Sequence, residues 1–176
     1  MDGTSLQYPI GKYQPVGYSE QQKKIWLNDI RYLPELLEHA INGLDAFQFE
    51  TPYREGGWQV RQVVHHLADS HMNAFIRCRL ALTEKQPIVK PYDEKAWAEL
   101  PDVFAVPVNM SVTLLHALHA RWYTLMSSID GEQWERTIYH PVYGNIQTLW
   151  FMLGSYAWHG KHHVAHITSL RERMNW

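Results

Sequence analysis

The fold of this chain is decided by residues 158–166, WHGKHHVAH, which hold four of its 11 histidines within eight residues. The stretch lies in a mostly apolar run without proline, residues 146–174, and this pattern predicts one long C-terminal helix. Residues four apart lie one above the other on a helix, and two histidine pairs have that spacing. Imidazole is the commonest protein ligand for zinc and nickel, so each pair could bind a metal ion.

The two pairs are His159 with His163, and His162 with His166. At about 100° per residue, one face of the helix forms a continuous apolar arc made of Ile146, Leu149, Trp150, Leu153, Ala157, Val164 and Ile167. His159 and His163 lie on the border of this arc. His162 and His166 lie further round, on a face that we expect to be polar and half exposed. The first pair is therefore the better candidate for an interior metal site.

Three more long helices are predicted upstream of this one. The first begins at the N-cap residue Ser19 and ends near Gly43, and Pro34 is expected to kink it or split it in two. Apolar residues at helical spacing predict the second helix at residues 58–83 and the third at residues 109–129. Together the four helices favour a helical bundle.

The connections complete this prediction. Residues 84–108 contain four prolines and predict a long crossover with one short helix at residues 93–100, while residues 134–143 predict a turn or a small two-stranded excursion. We therefore expect an all-α four-helix bundle with a long crossover between helices 2 and 3. Residues 1–176 are interpreted as a single domain. Residues 1–18 are interpreted as an extended arm over that domain, with a disordered tail as the alternative.

Composition argues against several classes of protein. The net charge is −2 without a basic block, so the sequence has no footprint of nucleic-acid binding. Neither a signal peptide nor an apolar run of membrane-spanning length is indicated. The single cysteine, Cys78, cannot form an internal disulfide, which suits a reducing cytoplasm. We expect a cytoplasmic protein that acts on small molecules.

A catalytic zinc ion usually has three protein ligands and one open position for water, so a third ligand must come from another helix. Helix 2 offers His65, His66 and His71, and helix 3 offers His116 and His119. Periodicity places His71 in the middle of the apolar stripe of helix 2 and His66 well off that stripe. The pattern alone therefore favours His71.

Six motifs occur in order along nearly the whole chain. They are YPIG at 8–11, TPYR at 51–54, GGWQVRQVVHHLADS at 56–70, PYDEKAW at 91–97, YHP at 139–141 and the histidine-rich stretch 158–166. This arrangement resembles the DinB-like bundle superfamily, and within it the YfiT group of metal-dependent hydrolases. Long motifs in a shared order are much more specific than one pair of histidines.

The resemblance implies a metal site and its ligands. In the YfiT group one ligand lies eight residues after the tryptophan that opens helix 2, which corresponds to His66. The other two lie four apart on the last helix and correspond to His159 and His163. His71 is then interpreted as a core histidine, and His166 stands where many members of the group have glutamine. The resemblance also implies a homodimer.

One divalent ion at this site, with zinc preferred over nickel, would lower the pKa of a bound water toward about 7. The predicted function is therefore metal-dependent hydrolysis of a small substrate. The resemblance also implies an alternative, because the superfamily includes transferases that deliver low-molecular-weight thiols such as mycothiol and bacillithiol to electrophiles. A non-catalytic metal- or ligand-binding bundle is the third interpretation. Asp69, one turn after His66, could accept a proton from an imidazole nitrogen, and a solvated carboxylate on the helix surface is an equally favoured interpretation.

The sequence does not identify the substrate. Five other polar residues could contact it, although pairing or packing is the favoured interpretation of each: Arg54, Tyr92, Asp93, His119 and Arg121. The sequence has no glycine-rich phosphate loop, so a nucleotide cofactor is not expected. Cys78, inside helix 2, is interpreted as a small core residue.

Overall fold

The computed structural model describes residues 6–176 and confirms the all-α four-helix bundle. In chain order its helices are α1 (Glu20–Ile41), α2 (Ala46–Glu50), α3 (Val60–Thr83), α4 (Glu94–Trp97), α5 (Pro101–Ala105), α6 (Val108–Ser127) and α7 (Leu149–Met174). Between α6 and α7 lie a 3-10 helix, Gly131–Glu135, and the antiparallel strands β1 (Thr137–His140) and β2 (Asn145–Thr148). In the described part of the chain, every helix is too short or too polar to cross a membrane.

The four long helices do not pack in chain order. Helix α1 packs against α6 and α7, and α3 packs against the same two helices. The first two long helices therefore lie diagonally across the bundle. The predicted crossover joins α3 to α6 and contains two short helices instead of one. The second of these begins at Pro101, because proline at the first helical position starts a new helix readily.

The crossover is tied to the small β-hairpin. The backbone N–H of Val89 donates to the carbonyl of Tyr139 at 3.1 Å, and the N–H of Tyr139 donates to the carbonyl of Pro87 at 2.9 Å. Ile88 and Tyr139 thereby form a parallel bridge. The two longest connections of the bundle thus form one joined wall, which we call the loop wall (residues 84–107 together with the strands β1 and β2).

Helix α1 begins as predicted, with the Ser19 hydroxyl accepting a hydrogen bond from the backbone N–H of Gln22 at 3.1 Å. It continues through Pro34 without interruption, so the predicted split is wrong. Proline leaves the carbonyl four residues earlier, that of Ile30, without its helical donor. The ring nitrogen Nδ1 of His119 hydrogen-bonds to this carbonyl instead.

Helix α7 begins later than predicted. Residues 145–148 pair with β1, and the hydroxyl of Thr148 then caps the helix by accepting a hydrogen bond from the N–H of Phe151 at 3.0 Å. Ile146 was assigned to the inner arc, and this assignment is wrong, since 57% of its surface is exposed. A short apolar strand and the first turn of an apolar helix have similar sequence patterns.

Two glycines let α7 approach α1 closely. A Cβ atom at Gly160 would lie 2.6 Å from a methyl carbon of Leu33, and one at Gly154 would lie 2.5 Å from the ring of Trp26. Side chains at these positions would push the helices apart. The glycines therefore permit the helix contact that fixes the depth of the histidine-rich stretch.

The described part of the N-terminal arm, residues 6–18, packs along α7. Trp150 Nε1 donates to the carbonyl of Val16 at 2.7 Å, and Trp158 Nε1 donates to that of Gly11 at 3.2 Å. The ring of Tyr13 meets that of Phe151 edge-on at 5.5 Å. Residues 1–5 of the predicted arm lie outside the described residues.

The apolar core has two clusters of buried side chains. The first includes Trp26, Ile30, Ala74, Trp122 and Leu153, and the second includes Leu33, Leu37, Leu67, Leu115 and Ile167. On α3 and α7, the buried histidines His71 and His163 lie between the residues of the two clusters, and on α6 the buried His119 lies beside Leu118, where the first cluster begins. The bundle therefore holds a polar layer across its middle, and the candidate site lies in this layer.

Candidate metal centre

Three imidazoles converge in the polar layer: His66 from α3, and His159 and His163 from α7. One ring nitrogen of each lies within 4.8 Å of the other two. The Nε2 atoms of His66 and His159 are 3.3 Å apart. Two nitrogens bound tetrahedrally to one ion at about 2.0–2.1 Å would lie about 3.4 Å apart. The three side chains that the sequence analysis selected thus form a cluster with the dimensions of a mononuclear metal site.

The three imidazoles are kept neutral by their surroundings. Burial lowers the pKa of His66 to about 4. Burial lowers the pKa values of His159 and His163 well below the ordinary value, and the neighbouring imidazoles lower them further. Neutral imidazole has the free lone pair that a metal ion requires. The chemistry of the donor set therefore fits a divalent ion.

A chain of hydrogen bonds extends from His159 into the core. Its Nδ1 lies 3.1 Å from Nε2 of His71, and Nδ1 of His71 lies 2.9 Å from Nε2 of His119. His119 Nδ1 hydrogen-bonds to the carbonyl of Ile30. The chain crosses the whole bundle, because these four residues belong to α7, α3, α6 and α1. We call it the core relay.

The carbonyl at the end of the core relay fixes every proton in it. A carbonyl oxygen only accepts, so Nδ1 of His119 carries the proton and Nε2 of this neutral ring accepts. His71 must then donate from Nδ1 and accept at Nε2, and His159 must donate from Nδ1. Nε2 of His159 is left with its lone pair, directed at His66. The relay thus presents His159 in the tautomer that binds a metal through Nε2.

His163 has a shorter relay that ends on the N-terminal arm. Its Nδ1 lies 3.3 Å from Nδ1 of His166, whose Nε2 lies 3.0 Å from the carbonyl of Gln7. By the same reasoning His166 donates from Nε2 to the carbonyl, and His163 donates from Nδ1 to His166. Nε2 of His163 is left free. The ring of Tyr53 stacks on His166 at 3.9 Å. We call this the arm relay.

The expectation that His162 and His166 form a half-exposed face is wrong, since both are buried. The arm covers them. Its Gln7 carbonyl bonds to His166, and the Tyr8 ring lies 5.7 Å from that of His162. The indole of Trp158 also stacks on His162, with ring centroids 4.5 Å apart. Helical periodicity does not reveal a surface that is covered by a distant part of the chain.

His71 is fully buried, as its place in the apolar stripe indicated, but it bonds to the cluster from behind instead of joining the three nitrogens. Asp69 lies elsewhere. Burial and the charge of Asp102 raise the pKa of its carboxyl to about 6. Within residues 6–176 its carboxylate forms no hydrogen bond with an imidazole. The hydrogen bond to a cluster imidazole that was predicted for Asp69 is made by His71.

The three-histidine cluster lies in the wall of a cavity of about 700 Å³. Helices α3 and α7 form one side of this cavity and the loop wall forms another. Its aromatic lining comprises Tyr8, Trp58, Tyr92, Tyr143, Phe151, Tyr156 and Trp158. A cavity of this size holds a small organic molecule. The cluster can therefore meet a substrate without any rearrangement of the bundle.

Of the weaker sequence candidates, Tyr92 lines the cavity and His119 belongs to the core relay. Arg54, Asp93 and Arg121 are not among the residues that line the cavity. Sequence reasoning missed several polar lining residues, among them Ser70, Arg77 and Tyr156. Helical spacing offered a signal for two of them, because residues 70 and 77 lie four and eleven positions after His66, on the same face of α3.

Cys78 is buried within α3, and burial raises the pKa of its thiol to about 12. A thiol that stays protonated at neutral pH is a poor nucleophile. Cys78 is thus a core residue, as the sequence indicated. Its thiol is excluded as the nucleophile of a reaction in the cavity.

The chain belongs to the DinB superfamily, whose family model matches residues 30–167. This range contains all three histidines of the cluster and both ends of the loop wall. The resemblance seen in the sequence motifs is thereby confirmed.

Two similar proteins come from Bacillus mycoides and Bacillus cereus. Each is 52% identical to this chain, over 172 and 174 residues respectively, and each match covers 97% of this chain and 98% of the relative. Both carry the name "putative metal-dependent hydrolase". The fold is also similar to the solved structure of YfiT from Bacillus subtilis, with a TM-score of 0.95, 48% identity, and coverage of 98% of this chain and 99% of that one. YfiT is described as a probable metal-dependent hydrolase with an unusual four-helix bundle topology.

Proposed function

We propose that this protein is a metal-dependent hydrolase of small molecules, with one divalent ion held by His66, His159 and His163. One observation carries the proposal: three neutral imidazoles converge to within 4.8 Å in the wall of a cavity. The names of the relatives from Bacillus support the same activity. Zinc is the preferred metal, since three histidines with an open position form a common catalytic zinc site, and nickel is the alternative.

Each part of the chain has a distinct task in this proposal. A divalent ion, when bound, supplies Lewis acidity and lowers the pKa of water toward about 7. The core relay and the arm relay keep the Nε2 lone pairs of His159 and His163 directed at the ion. The aromatic cavity binds the organic part of the substrate, and it excludes bulk water from the polar layer.

Metal content tests the ligand set. Untagged protein, purified and then reconstituted with zinc or nickel, is expected to contain about one ion per chain by elemental analysis. His66→Ala, His159→Ala and His163→Ala should each lose the ion. His39→Ala is the matched control, because His39 lies on the exposed face of α1. Wild-type protein that stays metal-free after reconstitution would contradict the proposal.

Substrate panels test the reaction. Esters and amides of aromatic acids are the first panel, assayed before and after treatment with a chelator. Hydrolysis that stops on chelation and returns with zinc supports the proposal. A second panel pairs an aryl halide with a low-molecular-weight thiol. Metal-dependent turnover in that panel alone would replace hydrolysis with thiol transfer, and Cys78 would not be the thiol, since it is buried.

A homodimer remains a prediction from the family resemblance. Sedimentation equilibrium of the metal-loaded protein measures it directly, and a mass of one chain at micromolar concentration would contradict it.

A further inference from the structure

One cation in the cavity has no counter-charge. Arg77 on α3 lines the cavity with only 8% of its surface exposed. It donates one hydrogen bond, from Nη2 to the carbonyl of Lys90 at 3.2 Å. Among residues 6–176 it forms no salt bridge, and Glu94, the one carboxylate of the lining, lies exposed at the rim. Burying a guanidinium without an anion is unfavourable, so the arrangement calls for an anionic partner from outside.

Hydroxyl groups surround this cation. Ser70, Tyr92 and Tyr156 all line the cavity with Arg77. Burial raises the pKa of Tyr92 to about 12 and also raises that of Tyr156, while hydrogen bonding with Ser70 and the charge of Arg77 partly offset this effect in both. Both phenols therefore stay protonated at neutral pH and can donate hydrogen bonds. Together with the guanidinium they supply several donors at one end of the cavity.

His140 lies beside this group on the loop wall. Burial, and then the charge of Arg77, lower the pKa of its imidazole, so it is neutral at neutral pH. Among the described lining residues, Arg77 thus carries the single full positive charge at this end of the cavity. One cation balances one negative charge, which favours a carboxylate over a phosphate monoester with nearly two. The planar guanidinium also matches a carboxylate with two parallel hydrogen bonds.

Arg77 and the three-histidine cluster lie at different positions along the same wall of the cavity. His66, Ser70 and Arg77 follow one face of α3, and eleven residues of helix span about 16 Å. The Cα–Cβ bonds of a helix tilt toward its N-terminus, which favours a shorter gap between the guanidinium and the cluster. The cavity of about 700 Å³ includes both ends. A substrate that filled it would place an anionic end near Arg77 and a reactive bond near His66.

We propose that Arg77, with Ser70, Tyr92 and Tyr156, binds the carboxylate of the substrate, so that this protein acts on small aromatic or aliphatic molecules that carry a free carboxylate distant from the bond that is broken. Only the part of this inference that concerns the bond that is broken rests on the proposed function. The carboxylate site itself is independent of the metal, because none of its four residues belongs to the three-histidine cluster.

The test compares probes that differ only in charge. Binding of 4-phenylbutyrate, its primary amide and phenyl phosphate is measured by calorimetry in chelator-treated protein, where a carboxylate cannot bind a metal ion instead. The carboxylate should bind at least tenfold more tightly than the amide. Arg77→Met, of similar length but neutral, should lose roughly ten- to a hundredfold in carboxylate affinity, the size of a charge-assisted hydrogen-bonded pair. Arg77→Met should weaken amide binding much less, because the amide carries no charge.

Three outcomes would overturn the inference: equal binding of carboxylate and amide by the wild type, an unchanged preference in Arg77→Met, or tighter binding of phenyl phosphate than of the carboxylate. Thermal unfolding and zinc content show whether the variant is intact. If Arg77→Met fails to fold, Arg77→Lys keeps the charge without the planar fork and should retain part of the preference. Failure of wild-type protein to bind zinc would contradict the proposed function and leave this result standing.

Discussion

The two histidines that α7 contributes to the cluster are held by different parts of the molecule. His159 is held by the core relay, which passes through two buried histidines and ends on a carbonyl of α1. His163 is held by the arm relay, which has one histidine and ends on the N-terminal arm. Both relays leave Nε2 free, yet one is built into the bundle and the other is added at its surface.

The two relays give the same chemical result, a free Nε2 lone pair, but they depend on the rest of the fold to different degrees. The core relay puts polar rings between two apolar clusters, where an unpaired nitrogen would cost about 1–3 kcal/mol. It therefore has to be complete whenever the protein is folded. The arm relay ends on Gln7, near the start of the chain, so we expect the bundle to form without it. We expect damage to the first relay to affect stability and metal binding together, and damage to the second to affect metal binding alone.

Acid is expected to produce the largest effect, because it acts at once on His66 and on the buried imidazoles of both relays. Folding lowers the pKa of His66 from 6.5 to about 4, so the unfolded chain binds more protons than the folded chain between these values. Stability is then full above pH 6.5 and falls as the pH drops. His66 alone accounts for roughly 3 kcal/mol at pH 4. Urea unfolding of chelator-treated protein at successive pH values measures this loss.

The same titration can be followed in each relay. Burial lowers the pKa of His166 in the arm relay to about 4, and it also lowers that of His119 in the core relay to about 4. Both relays should therefore be protonated in the same range of pH, and their imidazole NMR signals should report this. His166→Gln, which removes one titrating group, should reduce the acid-induced loss of stability. A stability that stays constant between pH 7 and 4 would contradict the buried, neutral state of these rings.

Breaking the core relay should have the next largest effect. His71→Leu leaves Nδ1–H of His159 and Nε2 of His119 without partners, so zinc affinity should fall roughly 10–100-fold. The free energy of unfolding should also fall, by about 1–3 kcal/mol. Competition with a chelator and urea unfolding measure the two losses. His71→Gln retains a donor and an acceptor and should recover part of both. Unchanged zinc affinity in His71→Leu would show that the relay does not position His159.

Breaking the arm relay should have a smaller effect. His166→Leu removes the acceptor for His163, and zinc affinity should fall by about tenfold, the lower end of the range for such partners. His166→Gln is the matched variant, since its amide can accept from His163 and donate to Gln7. It should bind zinc nearly as well as the wild type. If both variants lost affinity equally, the relay would not be the cause.

The smallest effect is expected at Pro34. Pro34→Ala restores a backbone N–H that competes with His119 for the carbonyl of Ile30. A carbonyl has two lone pairs and can accept both, so the hydrogen bond of the relay should weaken by a fraction of about 1 kcal/mol. Zinc affinity should change less than tenfold, by the same chelator competition. A loss as large as that of His71→Leu would show that the carbonyl needs to be free of other donors.

Sequence periodicity predicted the bundle and the inward place of His159, because each depends on spacing within one helix, and the four prolines of residues 84–108 predicted the crossover. It could not select His66, since α3 buries a second face against the cavity as well as its apolar stripe. The resemblance supplied that residue. Neither approach predicted the relays, because His119, Ile30 and His71 come together only through the packing of different helices. The cover over His166 was missed for the same reason.

In this fold the long helices hold the histidine cluster, and the loop wall lines the cavity beside it. The four long helices and the relays hold the nitrogens of the cluster, whereas Tyr92 and His140 face the cavity from the loop wall, which contributes Val89 and Ile138 to the buried apolar clusters. Insertions and substitutions in such connections are tolerated far better than changes in a packed core. Sequence changes in the connections alone can therefore alter which molecules the cavity binds while the histidine cluster stays the same. The wall is the part of this fold that can diversify while its chemistry stays fixed.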